Sequence, residues 1–271
     1  MTFSLTVLGS SAAIPANGRN LSAHLLNANE RLFLIDCGEG TQFQMRRYRV
    51  PYRRLHHILI SHLHGDHFFG LIGLLNSMHL LGRKEEMHLY APPALEEIIA
   101  LQMAASNTTL QYPLTFHPLR TDSADLIYEE ERLTIQSFPL KHSIPACGFV
   151  FREQSPPRRV QLARSYAYCS DTAYDEGIVP HIRSVGVLYH EATFMQALAG
   201  AAAEKFHSTA MEAAAIAKLA EAGKLIIGHF SARYEDAGPL VEEARRVFPE
   251  TYAAEEGVVV DLGMGDRVPF D

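Results

Sequence analysis

The run His57-Ile-Leu-Ile60 reads as a short apolar strand, and it leads without a break into Ser61-His-Leu-His-Gly-Asp-His67. Few folds have a use for that junction. In an extended chain, residues two apart point to the same side, so His62 and His64 converge on one ion. Gly65 permits a sharp turn. Asp66 and His67 then fall at the start of a helix and face a second ion close by. Imidazole nitrogens suit zinc, while the carboxylate adds negative charge and can contact a water. Three surface histidines in a loop are the plain alternative, but the His-x-His-x-Asp-His spacing between an apolar strand and a helix is too specific for it.

Around that segment, strand, polar loop and helix recur. Strands are expected at Phe3–Leu8, Ser22–Leu26 and Arg31–Ile35, and a helix at Thr41–Tyr48. The spacing of Phe69, Ile72, Leu75 and His79 predicts a helix over Phe68–Leu81. A strand at Met87–Tyr90 and a helix at Ala94–Met103, opened by two prolines, follow. From Leu114 to Phe151 the pattern is mostly β, and Tyr166–Cys169 and Val185–Tyr189 are further strands. Ser208–Ala222, rich in alanine, is a helix with Ser208 as its expected N-cap. Leu225–Ile227 is a strand, Pro239–Val247 a helix and Val258–Leu262 a last strand. Sheets covered by helices make an α/β sandwich with its chemistry at strand ends.

At 47% hydrophobic and 20% charged, the 271 residues suit a soluble globular protein. No linker or internal repeat divides them, so a single domain over residues 1–271 is expected. No apolar stretch approaches the length of a membrane span, and the first residues lack the pattern of a signal peptide. Cys37, Cys147 and Cys169 are scattered and without paired spacing, which reads as buried thiols in a reducing cytosol. A net charge of -7 argues against a generic polyanion binder.

Two ions need more ligands than one loop offers. His142 lies in Pro139-Leu-Lys-His-Ser, after the strand expected at Leu133–Phe138. Asp171 follows an apolar strand directly, where it can bridge two ions, and His229 stands at the end of another. Each alone would more often be structural. The segment at Ser61–His67 reverses that weighting.

These residues carry a close resemblance to the ribonuclease Z family of the metallo-β-lactamase superfamily. It runs nearly end to end: Gly9–Pro15 with Arg19-Asn20, Asp36-Cys-Gly-Glu-Gly-Thr-Gln42, Ser61–His67, Cys169-Ser-Asp-Thr172, His190-Glu-Ala-Thr-Phe194, His207-Ser-Thr209 and Gly228-His-Phe-Ser-Ala-Arg-Tyr234. The resemblance implies a metallo-β-lactamase fold, a four-layer αββα sandwich. It implies His62, His64, His142 and Asp171 around one zinc, and Asp66, His67, Asp171 and His229 around the other. Manganese stays open in place of zinc because two of the ligands are aspartates. Asp36 orients ligand histidines in that picture, or caps a turn. His207 and Glu191 are implied as a catalytic pair beside Asp66, while His190 is read as structural. Ser231 and Arg233 are candidates for contacting substrate, or for closing their own loop.

The chemistry so implied is in-line hydrolysis of a phosphodiester, with precursor tRNA as substrate, in a cytoplasmic homodimer. One departure bears on the substrate. Typical members carry a long tRNA-gripping arm between the residues matching His142 and Asp171, and here only 28 residues separate the two. Ser155-Pro-Pro-Arg-Arg159 reads as a tight surface turn, so the arm is expected to be missing. Hydrolysis of small or cyclic phosphodiesters by the same site is the alternative. Arg46, Arg47, Arg49, Arg53 and Arg54, interleaved with Tyr48 and Tyr52, form either a phosphate-tracking patch or a solvated face.

Overall fold

The computed structural model describes residues 2–154 and 164–262, so the turn expected at Ser155–Arg159 lies outside the described residues. The chain divides into two compact units. The first runs to Leu119 and takes back Glu256–Val259 near the end of the chain. The second holds Arg120–Glu255 and the residues after Val259.

The first unit begins with an antiparallel meander of β1 (Phe3–Gly9), β2 (Ala23–Ala28) and β3 (Arg31–Ile35). After α1 (Thr41–Arg47) the pairing turns parallel through β4 (Leu55–Leu59). Then come α2 (Gly65–Phe68), α3 (Leu71–Leu80), β5 (Met87–Ala91), α4 (Ala94–Ala105) and β6 (Leu114–Pro118). The strands stand in chain order from β1 to β6, with the short strand Val259–Asp261 outside β1. One sheet face is closed by helices: Leu34, Ile58 and Leu89 share a core with Leu74, Leu75 and Met78 of α3 and with Leu95 and Ile99 of α4.

The helix expected at Phe68–Leu81 is two helices, and its apolar face is different. Leu71, Leu74, Leu75 and Met78 are buried, whereas Phe69 is 64% exposed. Gly70 explains the break. Its N–H donates to Cys37 O at 2.9 Å, and a Cβ there would meet Gly38 O at 2.1 Å. The chain is pressed against the loop after β3, and only glycine allows so close an approach.

The second unit has its own seven-stranded sheet. It opens antiparallel with β7 (Asp125–Glu130), β8 (Leu133–Leu140), β9 (Ala146–Glu153) and β10 (Ser165–Cys169). After α5 (Val179–Ile182) it continues parallel with β11 (Val187–Glu191), then α6 (Ala199–Glu204) and α7 (Ala210–Leu219). β12 (Lys224–Gly228), α8 (Gly238–Arg245) and β13 (Thr251–Ala253) complete it. Ala210, Ala213, Ala214 and Ala217 of α7 lie on Leu188, Leu225 and Ile227, where small side chains let helix and sheet approach closely.

Two expectations shift here. β11 sits two residues later than Val185–Tyr189, because its parallel register with β10 begins at Tyr166↔Val187, and this carries His190 and Glu191 into the strand. The N-cap of α7 is Thr209 and not Ser208. Thr209 Oγ1 accepts from Glu212 N at 3.2 Å, and the Glu212 carboxylate accepts from Thr209 N at 2.8 Å. That reciprocal pair satisfies two donors at once. Ser208 Oγ is then released to donate to Thr172 O at 2.7 Å. Among the described residues no helix is long and apolar enough to cross a membrane. All three cysteines are free and buried, and burial pushes the Cys37 thiol up to about 12, where it is no nucleophile.

Candidate metal centre

In the first unit the donors gather where β4 ends. The rings of His62 and His64 lie 4.9 Å apart and those of His62 and His67 4.1 Å apart. Asp66 and His67 occupy the first turn of α2, with Asp66 Oδ2 3.6 Å from His67 Nε2. Behind them Asp36 is fully buried at the end of β3, in the left-handed region at φ 59. Aspartate tolerates that conformation better than most residues. Asp36 accepts from Ser61 N at 2.7 Å, from Ser61 Oγ at 2.9 Å and from His67 Nδ1 at 2.7 Å. Ser61 Oγ has one proton and gives it to Asp36, so it receives the Nδ1 proton of His62 at 3.0 Å. One carboxylate therefore sets two tautomers, directly for His67 and through Ser61 for His62. Both present Nε2 as the lone-pair nitrogen, the form a metal ligand needs.

The second unit repeats the device. The parallel strands β10, β11 and β12 end at one edge of the sheet, where Asp171, Glu191 and His229 stand. Asp171 and His229 take φ 43 and φ 57, conformations that other residues hold only when their surroundings fix them. Asp171 turns Oδ1 toward His229 Nε2 at 3.2 Å and Oδ2 toward His142 Nε2 at 3.7 Å. Its two oxygens thus face two different histidines. His142 Nδ1 donates to Phe206 O at 3.1 Å, which again leaves Nε2 as the ligand atom.

Glu191 is fully buried and accepts from Thr172 N at 2.9 Å and from His207 Nδ1 at 2.7 Å on one oxygen. Its other oxygen accepts from Thr193 N at 3.1 Å and Thr193 Oγ1 at 2.6 Å. Thr193 Oγ1 in turn receives the Nδ1 proton of His229 at 2.9 Å. Burial pushes the Glu191 carboxyl up, but the charge and hydrogen bond of His207, with His229 behind it, outweigh burial and hold it below the usual range. The donor atoms of Asp171, His207 and His229 all lie within 4.8 Å of one another, a spacing that suits an ion.

The remaining candidates separate. Arg233 Nε donates to Ser231 Oγ at 3.0 Å, and its guanidinium lies 4.9 Å over the Phe194 ring. That pair closes its own loop while Arg233 stays exposed. His190 is buried, donates from Nδ1 to Glu191 O at 2.8 Å and is held neutral by burial, as expected of a structural histidine. Arg54 pairs with Glu30, whereas Arg46, Arg47, Arg49 and Arg53 are exposed. Ser61 and Thr193 carry no role in the sequence pattern, although Ser61 adjoins His62 and Thr193 stands two residues after Glu191. Their signal is a hydroxyl within two residues of a candidate ligand or its supporting carboxylate.

Ribonuclease Z from Bacteroides thetaiotaomicron is 39% identical, with 96% of this chain and 95% of that protein covered. Ribonuclease Z from Cytophaga hutchinsonii is 42% identical, with 95% of each covered. The chain belongs to the ribonuclease Z family. It is therefore a hydrolase, and it belongs as well to the family described as anti-Pycsar protein Apyc1, matched over residues 3–235. The crystal structure of human tRNase Z, short form, superposes with a TM-score of 0.82 at 31% identity, covering 96% of this chain and 100% of that one. The metallo-β-lactamase fold protein YhfI from Bacillus subtilis matches with a TM-score of 0.77 at 22% identity, covering 96% of this chain and 100% of that one, and speaks for the fold alone. The metallo-β-lactamase fold expected from the sequence is the fold of this ribonuclease Z family member. Its alignment with the Bacteroides relative extends over 301 residues, more than the 271 of the chain, so that relative carries residues this chain lacks.

Proposed function

We propose that this ribonuclease Z family member is the endonuclease that trims the 3′ end of precursor tRNA, using two divalent cations. The residues fit that pair. His62, His64, His142 and Asp171 would hold one ion, and Asp66, His67, Asp171 and His229 the other. The support is chemical: buried imidazoles whose Nδ1 protons are committed to Asp36, Ser61, Thr193 and Phe206 O present Nε2, and Asp171 faces two histidines. The histidine-rich donor set suits zinc, with manganese next. Two such ions supply a Lewis acid for the phosphoryl oxygens and make water acidic enough to attack at neutral pH.

The observation that carries the reading is the His207–Glu191 pair beside Asp171 and His229. Glu191 stays ionised and fixes the His207 ring through its Nδ1 proton, and His207 gives a proton to the departing ribose oxygen. Asp66 accepts the proton of the attacking water. Arg233, exposed on the loop it closes with Ser231, is the member of that pair left to reach the nucleotides beside the scissile bond. The enzyme works as a cytoplasmic homodimer in this reading. Buried free thiols favour a reducing compartment, and exposed Phe43, Leu80 and Leu81 on α1 and at the end of α3 favour a second copy.

The test is cleavage of a precursor tRNA bearing a 3′ trailer, run beside bis(p-nitrophenyl) phosphate, with the zinc-loaded wild type, Asp66→Ala and His207→Ala. A cut next to the discriminator base, lost in both variants, is the expected result. Turnover of the small diester with intact precursor tRNA would move the substrate to small phosphodiesters.

A further inference from the structure

Glu256 lies far from Asp66 in sequence, yet it belongs to the same unit. Gly257 N donates to Val7 O at 2.9 Å, which lays this late segment along β1. One Glu256 oxygen accepts from Asn20 N at 2.6 Å, Ser10 N at 3.2 Å and Ser10 Oγ at 3.4 Å. The other accepts from Asn20 Nδ2 and from Gln44 Nε2, both at 2.8 Å. Gln44 Nε2 also donates to Leu8 O at 2.9 Å, tying α1 to the end of β1.

Ser10 and Asn20 are the two stems of the loop that follows β1. Inside it, Ser11 N donates to Asn20 O at 2.8 Å and Ser11 Oγ to Ile14 O at 2.7 Å. At the tip, Ala13 is held at φ 62 and donates its N–H to Asp66 Oδ2 at 2.8 Å. A left-handed alanine costs about 1–2 kcal/mol and persists only where the surroundings impose it. The imposed feature here is an N–H aimed at the side chain read above as ligand and proton acceptor.

We propose that Glu256 is a positioning residue for Asp66: by clamping both stems of the Ser10–Asn20 loop it sets the Ala13 N–H against Asp66 Oδ2 and fixes that carboxylate's orientation. The proposal rests on the reading of Asp66 as a residue of the metal site. Loss of the clamp lets the loop tip drift, and misplacement of a reacting group by about 1 Å can cost on the order of a hundredfold in rate.

The experiment is a double-mutant cycle in the zinc-loaded enzyme, with bis(p-nitrophenyl) phosphate turnover, zinc content and circular dichroism read for Glu256→Ala, Asp66→Asn and the double variant. Glu256→Ala is expected to lower kcat by about 10- to 100-fold with KM little changed and the fold retained. On the Asp66→Asn background it adds nothing further, since the residue it acts through is gone. Glu256→Gln, which keeps the side chain's size but turns one acceptor into a donor facing Asn20 and Gln44, gives a smaller loss of the same kind. It replaces the alanine variant should that one fail to fold. Wild-type kcat in both Glu256 variants overturns the proposal. So does an equal fold-loss with and without Asp66, which would make Glu256 a purely structural staple. A wild-type rate in Asp66→Asn sinks the reading of Asp66 first, and the proposal with it.

Discussion

Asp36 in the first unit and Glu191 in the second do the same work with different partners. Each is a fully buried carboxylate at a strand end that takes a backbone N–H, a hydroxyl and an imidazole Nδ1. Each reaches a second histidine through that hydroxyl, Ser61 for His62 and Thr193 for His229. The difference is in the directly bonded histidine. The side chain of His67 is 0% exposed, whereas that of His207 keeps 16% exposure. A carboxylate behind a sealed imidazole raises its basicity as a ligand. Behind an imidazole that reaches solvent, the same carboxylate tunes a proton donor.

The sharpest way to break that comparison is to remove each carboxylate and read rate and metal separately. Glu191→Ala is expected to lower kcat by about 10²–10³-fold while most of the zinc stays bound, measured by steady-state kinetics and metal analysis. Loss of the zinc in step with activity would make His207 a ligand and erase the distinction. Asp36→Asn should instead weaken zinc binding by about 10- to 100-fold, with activity returning on titration with excess zinc. Failure of zinc to restore the rate would place Asp36 in the chemistry itself.

Acid stability offers a weaker lever on the same contrast. In the first unit, burial lowers His24 to about 3, helped by the charge of His67, and burial together with His88 lowers His57 to about 3. Below an unfolded value near 6.5 the unfolded chain takes up these protons and the folded one does not. Stability therefore falls as the pH drops from 6.5 toward 3, by about 1.4 kcal/mol per pH unit for each such histidine. Glu191 has the opposite ionisation and a later window: its contribution is present above the ordinary glutamate value and is lost only as the pH falls through its lowered one. Hydrogen exchange of the apometal protein at pH 5 should show β4 loosening before β11. Equal loosening would mean that His190, also lowered by burial, carries the same load in the second unit.

The smallest effects belong to the hydroxyl relays. Ser61→Ala and Thr193→Val each remove one link, worth about 0.5–1.5 kcal/mol, so zinc affinity or kcat moves only severalfold. A larger loss in Thr193→Val than in Ser61→Ala is expected, because Thr193 touches both Glu191 and His229.

Much of this candidate site is legible in the sequence. The His-x-His-x-Asp-His run announced its donors, since spacing along a strand and into a helix turn is a local property. Asp171 and His229 were legible as polar residues directly after apolar strands. Other features were not. Thr209 and Ser208 are both good caps by type, and Glu212 three residues beyond Thr209 decided between them. Phe69 matched the apolar spacing of its helix, yet the pressure of Gly70 on the loop after β3 turned it outward.

By itself, then, the sequence determined which atoms were on offer: the imidazoles, the carboxylates, and the alternation of strand and helix that leaves them at strand ends. The tertiary structure alone decided which nitrogen of each histidine carries the proton, because that depends on partners such as Asp36 and Phe206 that lie 31 and 64 residues away along the chain. It alone decided, too, that Glu256 reaches Ser10 across 246 residues. Hydrogen bonds act over about 3 Å in space, and no pattern of neighbours in sequence encodes which distant donor will arrive there.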